Sequence, residues 1–425
     1  MRRHILRVLV VALVVVGAIY FFFQFWPLHN PHPEPRLARG VLAIRNAKVY
    51  TSPDVPATEN ATVLVRDGKV VEVGPAVAVP EGAQLVACER CTVTAGFWNA
   101  HVHFTESKWS FAAWKSAESL NAGLADMITS RGFTTVVNLG SDPRSAISLR
   151  RRIETGDLKG PKIYTAGQGL YPPNGIPFYV KREMPFFLLW VIPQPADANE
   201  AENTVRHGIA QGSDVLKLFT GAYVEPDKVL PMPENVAGAA VGMAHANHQL
   251  VFSHPSDLAG TLVAVHSGVD ILAHAPDTTD GIDDEVLRSI VDRHMAMIPT
   301  LKMFGTTVTK KPAYLQPIYA VVRRFRELGG EVLFGTDVGY MTDYTTNDEF
   351  LALEESGLAA MDMLRMLTTA PAARFGVLEE RGTIAPGKAA DLVVLGGDPA
   401  QDVTAFAHVD ATIRNGEVIY QRPAR

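Results

Sequence analysis

Cysteine is scarce in this chain: among 425 residues only Cys88 and Cys91 occur. A C-x-x-C pair can serve redox chemistry or form half of a structural zinc site, but no second pair completes the zinc and no thioredoxin-like βαβ context surrounds it. The pair therefore reads as structurally incidental, with a local disulfide as the alternative if the body lies in an oxidising compartment. Positive charge is not in excess either. The net charge is -6 and no basic patch stands out, which argues against a nucleic-acid partner. With 47% hydrophobic and 20% charged residues, a large core is possible.

Long apolar runs are confined to the amino terminus. Ile5 to Trp26 is apolar except for Arg7 and Gln24, and follows Arg2 and Arg3. At about 1.5 Å per residue it reaches roughly 33 Å, enough to span a bilayer core. The preceding positive charges put the body on the extracytoplasmic (periplasmic) side. No small-x-small cleavage site follows Phe23, and no cysteine lies nearby for a lipid anchor. An uncleaved signal anchor over 1–26 is favoured over secretion after cleavage. The Pro-rich stretch 27–40 then reads as a stiff linker.

Short strands with hairpin turns at Asp67-Gly68 and Asn415-Gly416 occupy both ends of the body. They predict one β-sandwich domain built from residues 41–96 and 381–423. Between them, strand-like runs alternate with helical patterns: Thr94 to Phe104, Thr134 to Leu139, Lys162 to Ala166, Val215 to Thr220, Leu250 to His254, Asp270 to His274, Met295 to Leu301 and Val332 to Asp337. Eight such units over 97–380 predict an α/β fold, a (β/α)8 TIM barrel, whose reactive residues belong at the C-terminal ends of its strands.

His101-Val102-His103 is the feature with the most chemical content. Residues i and i+2 of a strand share a face, so the two imidazoles can grip one cation; alone, they read equally well as unrelated histidines. The remaining strand ends supply Lys217, His254, His274 and Asp337. A lysine inside an apolar strand is rare, because burying an unpartnered ammonium is costly. His207, His245, His248 and His266 fall in or beside helical stretches, and His29 and His32 in the linker, so these read as solvated or core residues.

The run Gly96-Phe97-Trp98-Asn99-Ala100-His101-Val102-His103-Phe104, the strand-four lysine, the two later histidines, Gly335-Thr336-Asp337 and the tail Gly382 to Val393 together resemble the amidohydrolase superfamily over about 41–423. Within it the chain is most similar to the branch of Xaa-Pro dipeptidases and imidazolonepropionases. The resemblance implies a carbamate formed from CO2 on Lys217 and two divalent ions, for which imidazole and carboxylate ligands suit zinc. It further implies that His101, His103, Asp337 and the Lys217 carbamate hold one ion, and His254, His274 and the carbamate the other. Asp337 would be general base and then acid. Imidazolonepropionases lack the lysine and use one metal, so Lys217 points to the two-metal members. The Leu218-Phe219-Thr220-Gly221 turn departs from the Ser-Gly-Gly of many peptidase-like relatives, which puts their substrate preferences in doubt for this chain.

The expected substrate is a small amide or peptide, of dipeptide or N-acyl amino acid type with a free carboxylate. The alternatives are lactone, carbamate or phosphotriester hydrolysis at the same centre, or a non-catalytic membrane-tethered metal-binding protein. Tyr223 and Tyr171, with Gly169 and Asn174, lie in loops on the substrate side of the barrel. Tyr223 can donate to an oxyanion or pack as an ordinary loop residue. The long connection Tyr171 to Asn199, with its apolar run Met184 to Ile192, reads as a lid, pocket wall, membrane contact or dimer patch. Association into a homo-oligomer is left open.

Overall fold

A computed structural model describes Gly17 and residues 30–423. The expected anchor over 1–26 lies outside the described residues apart from Gly17. Among the described residues, no helix is long and apolar enough to cross a membrane. The described part of the linker is tied to the body: Arg150 Nε donates to Pro31 O at 2.8 Å, and Arg36 N donates to Glu154 O at 2.8 Å.

The two chain ends meet in one eight-stranded sheet. Strand Leu392–Leu395 pairs antiparallel with Thr92–Ala95, in register from Leu392↔Ala95 to Leu395↔Thr92. Ile44, Val49, Val63, Val93, Leu392 and Val394 form its core. Both hairpin turns have two successive positive φ values, 50° and 82° at Asp67-Gly68 and 48° and 76° at Asn415-Gly416, the twist that tight hairpins require. Cys88 and Cys91 are joined in a disulfide, with Cα atoms 5.1 Å apart, at the turn leading into Thr92–Ala95. The incidental reading of the pair is thus corrected. Closing so short a loop adds little through chain entropy.

The middle of the chain is a barrel of eight short parallel strands: Phe97–Val102, Phe133–Asn138, Lys162–Thr165, Val215–Leu218, Leu250–Ser253, Ile271–Ala273, Ala296–Ile298 and Glu331–Val332. They are referred to below as barrel strands one to eight. Closure between strands three and four runs through Asp214 N to Thr165 O (2.7 Å), and between eight and one through Ala100 N to Phe334 O (2.8 Å). The expected single strand Thr94–Phe104 is in fact two, parted at Gly96, where the chain leaves the sheet for the barrel. Gly96 is required there because a Cβ would collide with the Thr134 side chain. Strand eight is regular only at Glu331–Val332, shorter than Val332–Asp337 suggested. Beyond it the backbone still bonds strand one, but curls so that Asp337 reaches φ +58°.

The connection after strand three is ordered, with a helix at Phe178–Glu183 and a 3-10 turn at Phe186–Val191. Its base is closed by Tyr171 N donating to Pro193 O at 3.0 Å. A hairpin, Gly221–Glu225 with Lys228–Pro231, follows strand four and was not foreseen.

Candidate active site and metal centre

The strand-one sequence builds one side of the site. Asn99, two residues before His101, is fully buried, and its Oδ1 accepts from His101 N and Thr336 N, both at 3.2 Å. Its Nδ2 donates to Thr336 Oγ1 at 2.7 Å. One amide side chain therefore locks the H-x-H strand to the Gly-Thr-Asp turn. Asp337 N donates to His101 O at 2.9 Å, holding the carboxylate residue in its left-handed conformation. A non-glycine residue at φ +58° costs energy and persists only where its surroundings impose it.

Next to it Gly339 has φ +97°, and a Cβ there would overlap the His103 carbonyl. Gly339→Ala is expected to lower stability by at least about 2 kcal/mol and to displace His103. Denaturant unfolding of the metal-free protein measures the first effect.

His101, His103 and Asp337 present ligand atoms that all lie within 4.8 Å of one another. His103 Nε2 is 2.8 Å from Asp337 Oδ1, and His101 Nε2 is 3.2 Å from both that oxygen and His103 Nε2. His274 Nε2 is 3.9 Å from Asp337 Oδ2. The His254 ring lies edge-on to His274, with centroids 4.8 Å apart, and stacks on Phe219 at 4.9 Å. Lys217 is buried and donates from Nζ to Ala273 O at 2.7 Å, the residue just before His274. All six side chains thus surround one end of the barrel, at or just past the strand termini. His245 and His266 instead pair on the surface with Asp270 (2.9 Å) and Glu234 (2.8 Å).

Hydrogen bonds fix which nitrogens face the centre. His103 Nδ1 lies 2.7 Å from Gly140 O, which can only accept, so Nδ1 carries a proton and Nε2 is the nitrogen turned to the centre. Thr300 Oγ1 already donates to Pro299 O at 2.7 Å, so it accepts from His274 Nδ1, and His274 Nε2 is turned to the centre too. Asp337 Oδ1 is buried and accepts no hydrogen bond. Imidazole nitrogens turned inward and a carboxylate converging within 4.8 Å are the donor set a divalent cation takes, so the residues fit a metal centre. Burial holds the His101, His254 and His274 imidazoles well below their ordinary pKa, which keeps them neutral and able to ligate. Burial also pushes Lys217 down to about 7, against the raising effect of Asp337, so a neutral amine is accessible near physiological pH.

Thr300 was missed by the sequence reading. It follows strand seven with φ +51°, strained for a β-branched residue, and the next two amides, Leu301 N and Lys302 N, are held by the buried Glu349 carboxylate at 3.0 and 2.7 Å. Thr300→Val removes the acceptor for His274 Nδ1 at nearly constant volume. Metal affinity is expected to weaken about 10- to 100-fold, as measured by competition with a chromogenic chelator.

The centre opens into a cavity of about 2020 Å³, walled by the loops after several strands. Tyr171 stacks on Phe219, centroids 4.2 Å apart. Tyr223 does not point its hydroxyl at the centre: it donates to Asp277 Oδ2 at 3.1 Å and lies 2.8 Å from Thr278 Oγ1. Tyr314, from the helix Pro312–Glu327, donates to the same Asp277 oxygen at 3.1 Å. Neither Asp277 nor Tyr314 carried a signal in the sequence, since their meeting brings a loop residue to a helix 37 residues further on.

The sequence pattern of the Amidohydrolase family matches residues 92–419. The chain belongs to that family. It is a hydrolase acting on carbon–nitrogen bonds, and this amidohydrolase carries the His-His-Asp group expected of a family that binds divalent metals. It is 24% identical over 403 residues to an imidazolonepropionase of Thermoplasma acidophilum, covering 87% of this chain and 91% of the relative. An imidazolonepropionase of Myxococcus xanthus is 26% identical over 376 residues, covering 79% and 83%. Among solved structures, a Xaa-Pro dipeptidase with bound methionine superposes with a TM-score of 0.77 at 22% identity, over 90% of this chain and 100% of that one.

Proposed function

We propose that this amidohydrolase is a two-metal enzyme that cleaves an amide or peptide C–N bond in a small molecule. The observation that carries this reading is the meeting of a buried lysine with inward-turned histidine nitrogens and a buried carboxylate oxygen that accepts no hydrogen bond among the described residues. His101, His103 and Asp337 would hold one ion, His254 and His274 the second, and a Lys217 carbamate would bridge them. Zinc suits this donor set. When bound, the two ions supply a water of lowered pKa and polarise the scissile carbonyl.

The chain's own residues do the rest. Asp337, fixed by His101 O and Asn99, takes the proton of the attacking water and returns it to the leaving nitrogen. Thr300 and the Gly140 carbonyl keep two imidazoles turned toward the centre.

The body is proposed to lie on the extracytoplasmic side of a membrane, anchored through residues 1–26. Support comes from the charge pattern before that run and from the Cys88–Cys91 disulfide, which suits an oxidising compartment. Exposed Phe111, Trp190, Val191 and Val308, on loops after strands one, three and seven, face the same end of the barrel as the cavity mouth and fit a mouth turned toward lipid.

Assaying the purified protein against amides, dipeptides, lactones and phosphotriesters tests the activity. Amide turnover that disappears on chelation and returns with added zinc is the expected result. Turnover that survives exhaustive chelation, or a preference for esters or phosphotriesters, would remove the reading.

A further inference from the structure

The cavity wall has a charge asymmetry that the metal centre does not explain. Asp142, Glu183, Asp227, Asp257 and Asp277 line it; among the described residues no arginine does, and its one lysine is Lys217 of the centre itself. A substrate carboxylate would find no guanidinium fork or free ammonium there, contrary to the free carboxylate expected from the sequence.

Two of these acids have structural work: Asp142 and Asp257 cap helices, accepting from Ser145 N (3.0 Å) and Gly260 N (2.9 Å). Asp227 stands exposed at the tip of a hairpin, and Glu183 is exposed at the end of the helix Phe178–Glu183. Asp277 is different. It lies three residues beyond His274, caps no helix, and among the described residues forms no ion pair.

Its Oδ2 receives both the Tyr223 and Tyr314 hydroxyls, each at 3.1 Å, which aim the carboxylate and leave its charge uncompensated. Burial pushes its pKa up to about 6, as happens to a desolvated carboxylate lacking a cation. Aromatic rings connect it to the centre: Tyr314 meets Phe304 at 6.4 Å between centroids, and Phe304 meets His274 at 6.1 Å. A carboxylate held by two neutral hydroxyls, without a cationic partner and beside aromatic rings, is an arrangement suited to an organic cation, chiefly through its charge.

We propose that Asp277, held by Tyr223 and Tyr314, is the specificity subsite of this enzyme, and that it takes an ammonium or guanidinium group of the amide substrate. The inference rests on the amide-hydrolase reading for what the subsite serves. With its cation at Asp277, the substrate reaches past Tyr314 and Phe304 to set the scissile amide at the metal ligands.

The test uses two sets of amides that carry an ammonium, a methyl or a carboxylate at the end of one four-carbon chain. One set places this group on the acyl side of the scissile bond and the other on the amine side. With the full-length enzyme, one set is expected to show kcat/KM at least about tenfold higher for the ammonium than for the methyl member, with the carboxylate lowest. Asp277→Asn should bring the ammonium-to-methyl ratio close to one, while Tyr314→Phe, which leaves the charge, should preserve the preference.

A wild type that favours the carboxylate or ignores the end group in both sets overturns the subsite, whether or not Asp277→Asn folds. A preference unchanged in Asp277→Asn does the same. Calorimetric Kd values for the same compounds on chelated protein separate the two readings. Ammonium-selective binding without turnover of any amide sinks the hydrolase reading and keeps the subsite. Turnover without ammonium selectivity sinks the subsite alone.

Discussion

Asp337→Asn is expected to reduce kcat/KM on any amide substrate by at least about 10³-fold, because it removes a metal ligand and the group that carries the proton. The same substitution should leave the metal-free protein as stable as the wild type, or more so. In the native protein the buried Oδ1 accepts no hydrogen bond among the described residues and lies 2.8 Å from His103 Nε2. An asparagine amide can donate an N–H toward the converging imidazoles and carries no buried charge, so the variant exchanges function for stability. Steady-state kinetics and thermal melts in chelator measure the two halves. Activity within tenfold of wild type would deny Asp337 its role as proton carrier.

Lys217→Ala is expected to cost on the order of 10²- to 10⁴-fold in kcat/KM, comparable to loss of an acid–base group. Lys217 is fully enclosed, yet among the described residues its Nζ has only the Ala273 carbonyl as a hydrogen-bond partner. Burial that depresses its pKa to about 7 makes the free amine available to attack CO2, with one proton released as the carbamate anion forms. The anion then resides where a cationic lysine would oppose metal binding. Since truncating this side chain would leave a carboxylate-sized hole, millimolar acetate or propionate should restore part of the lost activity. Full activity in the alanine variant, without added carboxylate, would exclude the carbamate.

Much of the site was legible because period-2 patterning is local: His101 and His103 share a strand face by covalent geometry alone. The barrel was legible from eight apolar runs spaced by helical patterns, and it forced His254, His274 and Asp337 to the same end. What lay hidden depends on contacts between distant segments. Thr300 is an ordinary threonine in the sequence until Pro299 O takes its proton and leaves it to accept from His274. Gly339 is one glycine among 34 until its φ and the His103 carbonyl show why nothing larger fits. Tyr223 was singled out for its place after strand four, but the partner that decides what it does, Asp277, lies 54 residues away. The disulfide was misjudged because four residues of sequence do not disclose whether two thiols can meet.

Counting metal by elemental mass spectrometry in wild type and Lys217→Ala protein is the most direct test of the central claim, that a buried lysine turns a His-His-Asp grip into a two-metal centre. About two divalent ions per chain in the wild type and one or fewer in the variant is the expected result. One ion per chain in both proteins would contradict it.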